Sequence, residues 1–403
     1  MNCKTKITAQ VALLCAAPVV MHAQFDFKMD GLKFQVHSFA SQGFAYSNDN
    51  NYLTMNTSQG SFAMTDGGVN LSSQITDKFR VGAQAYDRNV GVMGKGRVTL
   101  DWALGDYKFK SWFGVRAGKV KTVFGLYNDT QDIESLHTWA ILPQSAYPID
   151  LRASTIAHVG GDIYGTFDLQ KRGGISYTAY YGTRPDDPTG GYTYGLKAFG
   201  VNLNGVTGTQ AGGDLRWNNL IKDVTFGASY MNSPMDTAGT MQMSPLPKSP
   251  GTIHAEDRSI AYYVSYKSGS LSVDGEYRLE KIYSTMKIAV MPTMVVTSLY
   301  NPVECGWYAA AAYRISKRLE FGTYRSWFYP TWTGDRDAPI SHITDQVVTA
   351  RVDLAKFWDV KIEGHFMDGY GNPQSLRGFY LQDNPAGLQP KTNMLVIRTG
   401  WNF

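Results

Sequence analysis

Residues 259–279 read SIAYYVSYKSGSLSVDGEYRL. In the first half, Ile260, Tyr262, Val264 and Tyr266 share one parity, and Ser259, Ala261, Tyr263, Ser265 and Lys267 share the other. After SGS at 268–270, apolar Leu271, Val273, Tyr277 and Leu279 oppose Ser272, Asp274, Glu276 and Arg278. A period of two describes a strand, because successive side chains leave a pleated backbone on opposite faces. Two such runs joined by a tight Gly-containing link describe a hairpin with one apolar face and one polar face. The same pattern recurs at 97–104, where Val98, Leu100, Trp102 and Leu104 oppose Arg97, Thr99 and Asp101.

Working outward, the chain after residue 24 carries sixteen candidate strands. They run over 32–46, 62–75, 79–90, 97–109, 113–123, 155–169, 174–183 and 207–217. The remainder run over 224–232, 259–267, 271–280, 303–315, 319–329, 344–354, 359–369 and 392–403. Their links alternate in length. TDK at 76–78, KSW around Ser111, QKRG around Arg172, SGS, SKR around Lys317 and AKFW around Lys356 are short. Between them lie 47–61, 124–154, 184–206, 233–258, 281–302, 330–343 and 370–391, with one shorter outer link at 91–96. A bacterial outer-membrane barrel has tight turns on its periplasmic rim and long loops on its external rim. A Greek-key sandwich has no reason to keep that rhythm. Lipid also demands closure, since an open sheet edge would leave backbone donors unpaired.

Composition agrees. The 403 residues are 13% aromatic and carry 41 glycines, but only 18% are charged, against about 25% in soluble globular proteins. Beyond the N-terminal region no apolar run is long enough for a membrane helix, which needs roughly 18 uncharged residues. The aromatic content excludes a disordered chain. At the N-terminus, Lys4 and Lys6 precede the apolar run VALLCAAPVVM at 11–21, and Ala23 ends a cleavage site. Residues 1–23 are thus expected to be a signal peptide and 24–403 a single barrel domain. Without residues 1–23 the chain holds 36 basic and 34 acidic residues, a balance that does not suit nucleic acid as a partner. Cys305 is then the lone cysteine, so no intrachain disulfide is expected.

The segment RVTLDWALGDYKF at 97–109 and WFGVRAGKVKTVFGLYNDTQDIESL at 112–136, followed by LPQSAYP at 142–148, resembles Gram-negative outer-membrane porins near the phosphate-selective group. The last strand places Asn393, Leu395, Ile397, Thr399, Trp401 and Phe403 on one face. Its terminal aromatics, Trp401 and Phe403, resemble the signal read by the barrel-assembly machinery. The resemblance implies an all-β, sixteen-stranded antiparallel transmembrane barrel in the bacterial outer membrane. It also implies a homotrimer, an inward-folded third loop and a water-filled channel for passive diffusion of small hydrophilic solutes and ions. Two alternatives stay open: a substrate-specific channel for an anion such as phosphate or a dicarboxylate, and a non-conducting surface barrel whose loops bind a partner.

Selectivity in a channel comes from pore width and from charges held at the constriction. The candidate constriction loop, 124–154, carries Asp129, Asp132 and Glu134, with a short helix expected over 133–141. Arg80, Arg88, Arg97 and Arg116 follow the polar faces of neighbouring strands, and loop acids opposite wall arginines would set a transverse field. Lys119 and Lys121, at the outer end of their strand, are expected at the pore entrance, or for Lys119 snorkelling from the lipid face. No HExxH or GxSxG pattern and no paired cysteines occur. His158 and Asp162 have spacing ordinary for a hydrated strand. An enzyme, a metal site or a cofactor is therefore not expected.

Overall fold

The structure is a computed structural model that describes residues 25–29, 31–184, 190–242 and 247–403; the expected signal peptide lies outside the described residues. The chain closes into one antiparallel barrel of sixteen strands. In chain order these are β1 (Leu32–Ser47), β2 (Ser61–Gln74), β3 (Phe79–Val90), β4 (Thr99–Lys110), β5 (Phe113–Lys121), β6 (Ala157–Asp168), β7 (Gly174–Thr183) and β8 (Val201–Asn218). They continue as β9 (Val224–Met241), β10 (Ser249–Ser268), β11 (Leu271–Met291), β12 (Val303–Arg314), β13 (Leu319–Tyr329), β14 (Ile343–Ala355), β15 (Trp358–Asp368) and β16 (Lys391–Asn402). Each pairs with its sequence neighbours, and β16 closes the ring on β1 from Met394↔Ser47 to Asn402↔Phe39. Two short strands complete the edges. Phe25–Met29 pairs with β1 below the point where β16 stops, and Met294–Tyr300 pairs with the upper part of β11.

Around the middle of the barrel the outward residues are apolar and exposed, among them Val69, Leu100, Ile163, Leu215, Val264, Val273, Phe321, Val348, Ile362 and Leu395. Their lumen-facing neighbours are polar or charged: Asp162, Asp214, Asp274, Glu320, Asp345, Lys361, Glu363 and Arg398 are all buried. A closed sheet with an apolar outside and a polar inside is a membrane-spanning barrel, because lipid hydrates neither charge nor free backbone. Stacked aromatic pairs mark the turn end, such as Trp358 with Trp401 and Trp112 with Phe167.

Four strands run further than the sequence pattern indicates. β8 to β11 continue through 201–206, 233–241, 249–258 and 281–291, stretches expected to be loops. Alternation persists there with its phase inverted. In β10, the outward residues change from Ile260, Tyr262 and Val264 to Thr252 and His254, while the inward ones become Ile253 and Ala255. Above the membrane, water bathes the outer face and the inner face packs a core of its own. There Val206, Met235 and Ala255 meet Tyr192 and Leu203, and Val201, Met241, Ile253 and Ile288 meet Leu196. Tyr192 and Leu196 come from the short helix Gly191–Lys197.

Arginine placed on the lipid face should be costly. Ile362→Arg, in the middle of β15, is expected to lower unfolding stability by about 2–4 kcal/mol in urea titrations of vesicle-embedded protein.

Candidate functional site

The connection between β5 and β6, residues 122–156, turns into the barrel and spans it. An irregular backbone in a lumen must find partners for its N–H and C=O groups, and here the wall supplies them from charged side chains. At its start, Gly125 N donates to Ser229 Oγ of β9 (2.9 Å) and Leu126 N to Glu276 Oε2 of β11 (3.1 Å). On the far side, Glu363 of β15 accepts from Ala140 N and Ile141 N, each at 3.0 Å. Arg351 Nη1 donates to the carbonyls of Ser135 and His137, both at 2.8 Å, and Lys361 Nζ to that of Glu134 at 2.8 Å. Arg398 Nη1 takes Ala140 O (2.8 Å), Arg278 Nη1 takes Ala146 O (3.0 Å) and Arg88 Nη1 takes Ile149 O (2.7 Å). His365 bridges Asp345 (2.8 Å) and Glu363 (3.0 Å), which fixes the Glu363 carboxylate.

Apolar packing completes the seat. Trp139, Ala146 and Tyr147 of the loop pack with Tyr308, Tyr324 and Val347 of the wall. Ala140 and Ile141 join a second cluster with Leu53, Met55, Met93, Phe328 and Phe379, drawn from the wall and three other outer connections. Wall glycines make room: a Cβ at Gly306 would strike the Ser145 carbonyl, and one at Gly322 would strike the Trp139 ring. The outer connections also grip one another, through Leu53 N to Gly378 O (2.8 Å) and Tyr194 OH to Asp383 Oδ1 (2.5 Å). Asp150 ties the inward loop to this roof by accepting from Gly378 N (2.9 Å) and Tyr380 OH (2.7 Å). Cavities between loop and wall measure only about 10 to 40 Å³.

The anticipated acids do face wall cations, but at contact distance. Asp132 is buried, 2.6 Å from Lys121 Nζ, and accepts from Gln84 Nε2 at 2.8 Å. Glu134 is buried in an ion pair with Lys361. Asp129 is half-buried, and its carbonyl accepts from Lys121 Nζ at 3.1 Å. Of the four arginines, Arg88 reaches the loop at Ile149, whereas Arg116 pairs lower down with Asp106 (3.6 Å) and Asp162 (3.8 Å) and lies 4.0 Å from the Tyr164 ring. Arg80 is exposed at the turn end of β3, and Arg97 is exposed in the outer connection before β4 begins at Thr99, so neither meets the loop acids. Lys121 serves the loop rather than an entrance, and Lys119 lies on the outward face with its Nζ on Leu100 O (2.6 Å). The expected helix over 133–141 is only a 3-10 turn, Glu134–Leu136. An α-helix would turn the Ala140 and Ile141 amides back on their own chain, away from Glu363. Trp401 and Phe403 sit at the turn end, against Trp358 and Phe357.

The sequence reading missed the main anchors: Arg152, which pairs with Asp101 at 3.0 Å, and Arg351, Lys361, Glu363 and Arg398 in their anchoring role. One signal was present. Asp359, Lys361, Glu363 and His365 put four ionisable residues in succession on the inward face of β15, more than a merely hydrated wall needs.

Burial opposes the charge on Asp132, but Lys121 and Arg152 outweigh it and hold its carboxyl below the usual range. Glu134 follows the same pattern through Lys361 and Arg398. Asp129 goes the other way, because burial there exceeds the pull of Arg216 and Lys121. Burial depresses His137 to about 4, so its imidazole is neutral at pH 7; with Nε2 3.0 Å from the Thr130 carbonyl, Nε2 carries the proton. Toward the turn end the lumen is wetter, and Arg314 lies between Glu320 and Asp353, with more than a third of its side chain exposed.

No family model matches the chain, and no curated protein matches its sequence. Solved structures do match in fold. OmpT of Vibrio cholerae, an outer membrane protein folded in vitro, aligns with TM-score 0.56 over 94% of this chain and 99% of its own, at 11% identity. The anion-selective porin from Comamonas acidovorans aligns with TM-score 0.56 over 92% and 99%, at 10% identity. The outer membrane channel DcaP of Acinetobacter baumannii aligns with TM-score 0.55 over 94% and 99%, at 9% identity. The chain has the fold of Gram-negative outer-membrane porins. At these identities the likeness is one of architecture, and the seating of the loop rests on this chain's own residues.

Two outcomes test the seat, each read from a nitroxide on Leu136→Cys, an exposed loop position. Lys361→Met strands the buried Glu134 carboxylate and should mobilise the label, at a cost to the loop of about 3–5 kcal/mol. Lys361→Met with Glu134→Gln should recover part of that loss. For acid, the sign follows His137: the released loop takes up a proton near the ordinary imidazole value of about 6.5, the seated loop only at about 4. The His137 contribution to seating should therefore weaken as pH falls from about 6.5 to about 4, by up to about tenfold per unit, read as the difference between the unaltered chain and His137→Asn. His137→Asn should flatten that part of the profile.

Proposed function

We propose that the protein is an outer-membrane channel that passes small hydrophilic solutes and ions by passive diffusion, with residues 122–156 as the element that narrows it. The reading rests above all on width against filling. Sixteen strands enclose more space than wall side chains can fill, and barrels of 16–18 strands leave an aqueous lumen. Here one loop of the chain itself takes up part of that space, held by ion pairs, hydrogen bonds and packing. Partly exposed pairs such as Arg116 with Asp106 and Arg314 with Asp353 line the turn-side half and suit a hydrated vestibule.

The selectivity filter in this reading is the seam between loop and wall, formed by Asp129, Asp132 and Glu134 on one side and Lys121, Arg88, Arg351, Lys361 and Arg398 on the other. A homotrimer fits the fold, and one aligned structure is the trimer form of Vibrio cholerae OmpT. The barrel-assembly machinery is the partner we propose for the outward aromatics Trp401 and Phe403, and outer-membrane lipid the partner for the apolar belt. A substrate-specific anion channel is the second reading, favoured by the cationic wall around the loop return.

Planar-bilayer recording of the refolded chain tests the proposal. The expected record shows small steps in groups of three, and several-fold larger steps in Lys361→Met with Arg398→Met. Correctly folded barrels that stay silent in both forms would overturn the channel reading in favour of a surface barrel.

A further inference from the structure

The outer wall above the membrane carries a groove. Where β8 to β11 extend past the lipid belt, their outward positions stand in two cross-strand rows. One row is Thr207, Asp236, His254 and Thr285, and the next is Gly205, Ala238, Thr252 and Lys287. Together they line an open groove of about 690 Å³, with Asn204 at its β8 end. Gly205 and Ala238 keep its floor low. His254 Nδ1 lies 2.7 Å from Asp236 Oδ1. The side chains of Asn204, Thr252, Thr285 and Lys287, and Nε2 of His254, have no partner among the described residues. Charge on this outward face is unbalanced. Its carboxylates, Asp236 and Glu256, are each bound to a basic side chain, His254 at 2.7 Å and Arg258 at 2.8 Å. Lys281 and Lys287 are exposed and have no carboxylate partner among the described residues.

We infer that this groove binds the acidic oligosaccharide headgroup of a lipid in the surrounding outer leaflet. Side-chain chemistry sets the class. A hydroxyl both donates and accepts, so a ligand rich in hydroxyls meets a carboxylate, an imidazole nitrogen, an amide and an ammonium with one kind of group. A peptide needs a free strand edge or an apolar groove, and β9 to β11 are paired on both sides here. The two unmatched lysines add a preference for acid groups on the sugar. Position sets the source. Asp236 lies six residues beyond Tyr230, the last exposed aromatic of β9, or about 20 Å along the strand, where headgroup sugars stand rather than acyl chains. The groove opens sideways over the membrane plane, so a headgroup of the adjacent leaflet reaches it directly. The site requires an embedded barrel and not an open channel, so it stands apart from the conduction reading.

The test uses the full chain refolded into phosphatidylcholine vesicles that carry either lipopolysaccharide or lipid A, its counterpart without the oligosaccharide. A nitroxide on Ala238→Cys, an exposed position on the groove floor, reports the occupant, the native Cys305 being buried. It should collide several-fold less often with a water-soluble relaxation agent in the first vesicles than in the second. Lys281→Glu with Lys287→Glu should remove that protection, and because both side chains are exposed the barrel is expected to fold. Calorimetry of the unlabelled chain against deacylated lipopolysaccharide should show saturable binding, several-fold weaker in the lysine variant. Equal label exposure in both vesicles, together with no saturable heat, would overturn the site, as would protection that survives the lysine variant. Binding by a barrel that never conducts would keep the site and sink only the channel reading.

Discussion

In lipid, a strand can send its backbone N–H and C=O groups only to another strand, and everything in this structure follows from meeting that condition. The ladder between β16 and β1, extended by the mutual hydrogen bonds of Ser38 and Phe403, removes the last free edge. Once the ring is closed, each strand has one face in lipid and the other enclosed. Apolar residues such as Ile362 and Leu395 are then forced outward. The enclosed face is wider than its side chains can fill. A closed ring of this size creates an interior that either holds water or takes in more of its own chain.

This chain does the second at the level of the inward loop. Glu363, Arg351, Lys361, Arg398, Arg278 and Arg88 do for the loop backbone what water would otherwise do. Such a seat differs from an apolar core in what breaks it. Removing one member leaves a buried charge unpaired, so the loop is held firmly yet is open to control by charge. Apolar contacts at Trp139 and Ile141 give the seat its shape, and glycines at 306 and 322 let the loop approach the wall closely.

The barrel was legible in the sequence because lipid and lumen impose opposite demands at alternate positions. β7 and β13 match their expected spans to the residue. Legibility failed where lipid ends. At His254 and Ile253 the apolar face switches from outside to inside, so a continuing strand looks like a terminated one. The site was half legible. Asp132 and Glu134 stood out as a cluster of charge on a loop, but their partners Lys121 and Lys361 lie 11 and 227 residues away. Only the register of a closed ring brings β15 opposite that loop. Arg97 misled for a simpler reason: the alternation of 97–104 starts two residues before the ladder, which begins at Thr99. The helix expected over 133–141 was misread because local pattern says nothing of a distant carboxylate that claims two of its amides.

Hydrogen exchange at the amides of Ala140 and Ile141, in the bilayer-embedded chain, tests the central claim most directly. If the loop is seated as described, both amides exchange as slowly as those within β14 and β15, since their acceptor is the buried Glu363 carboxylate. Exchange as fast as in the outer connection at 91–98, while the strands stay protected, would show that the loop does not occupy the lumen.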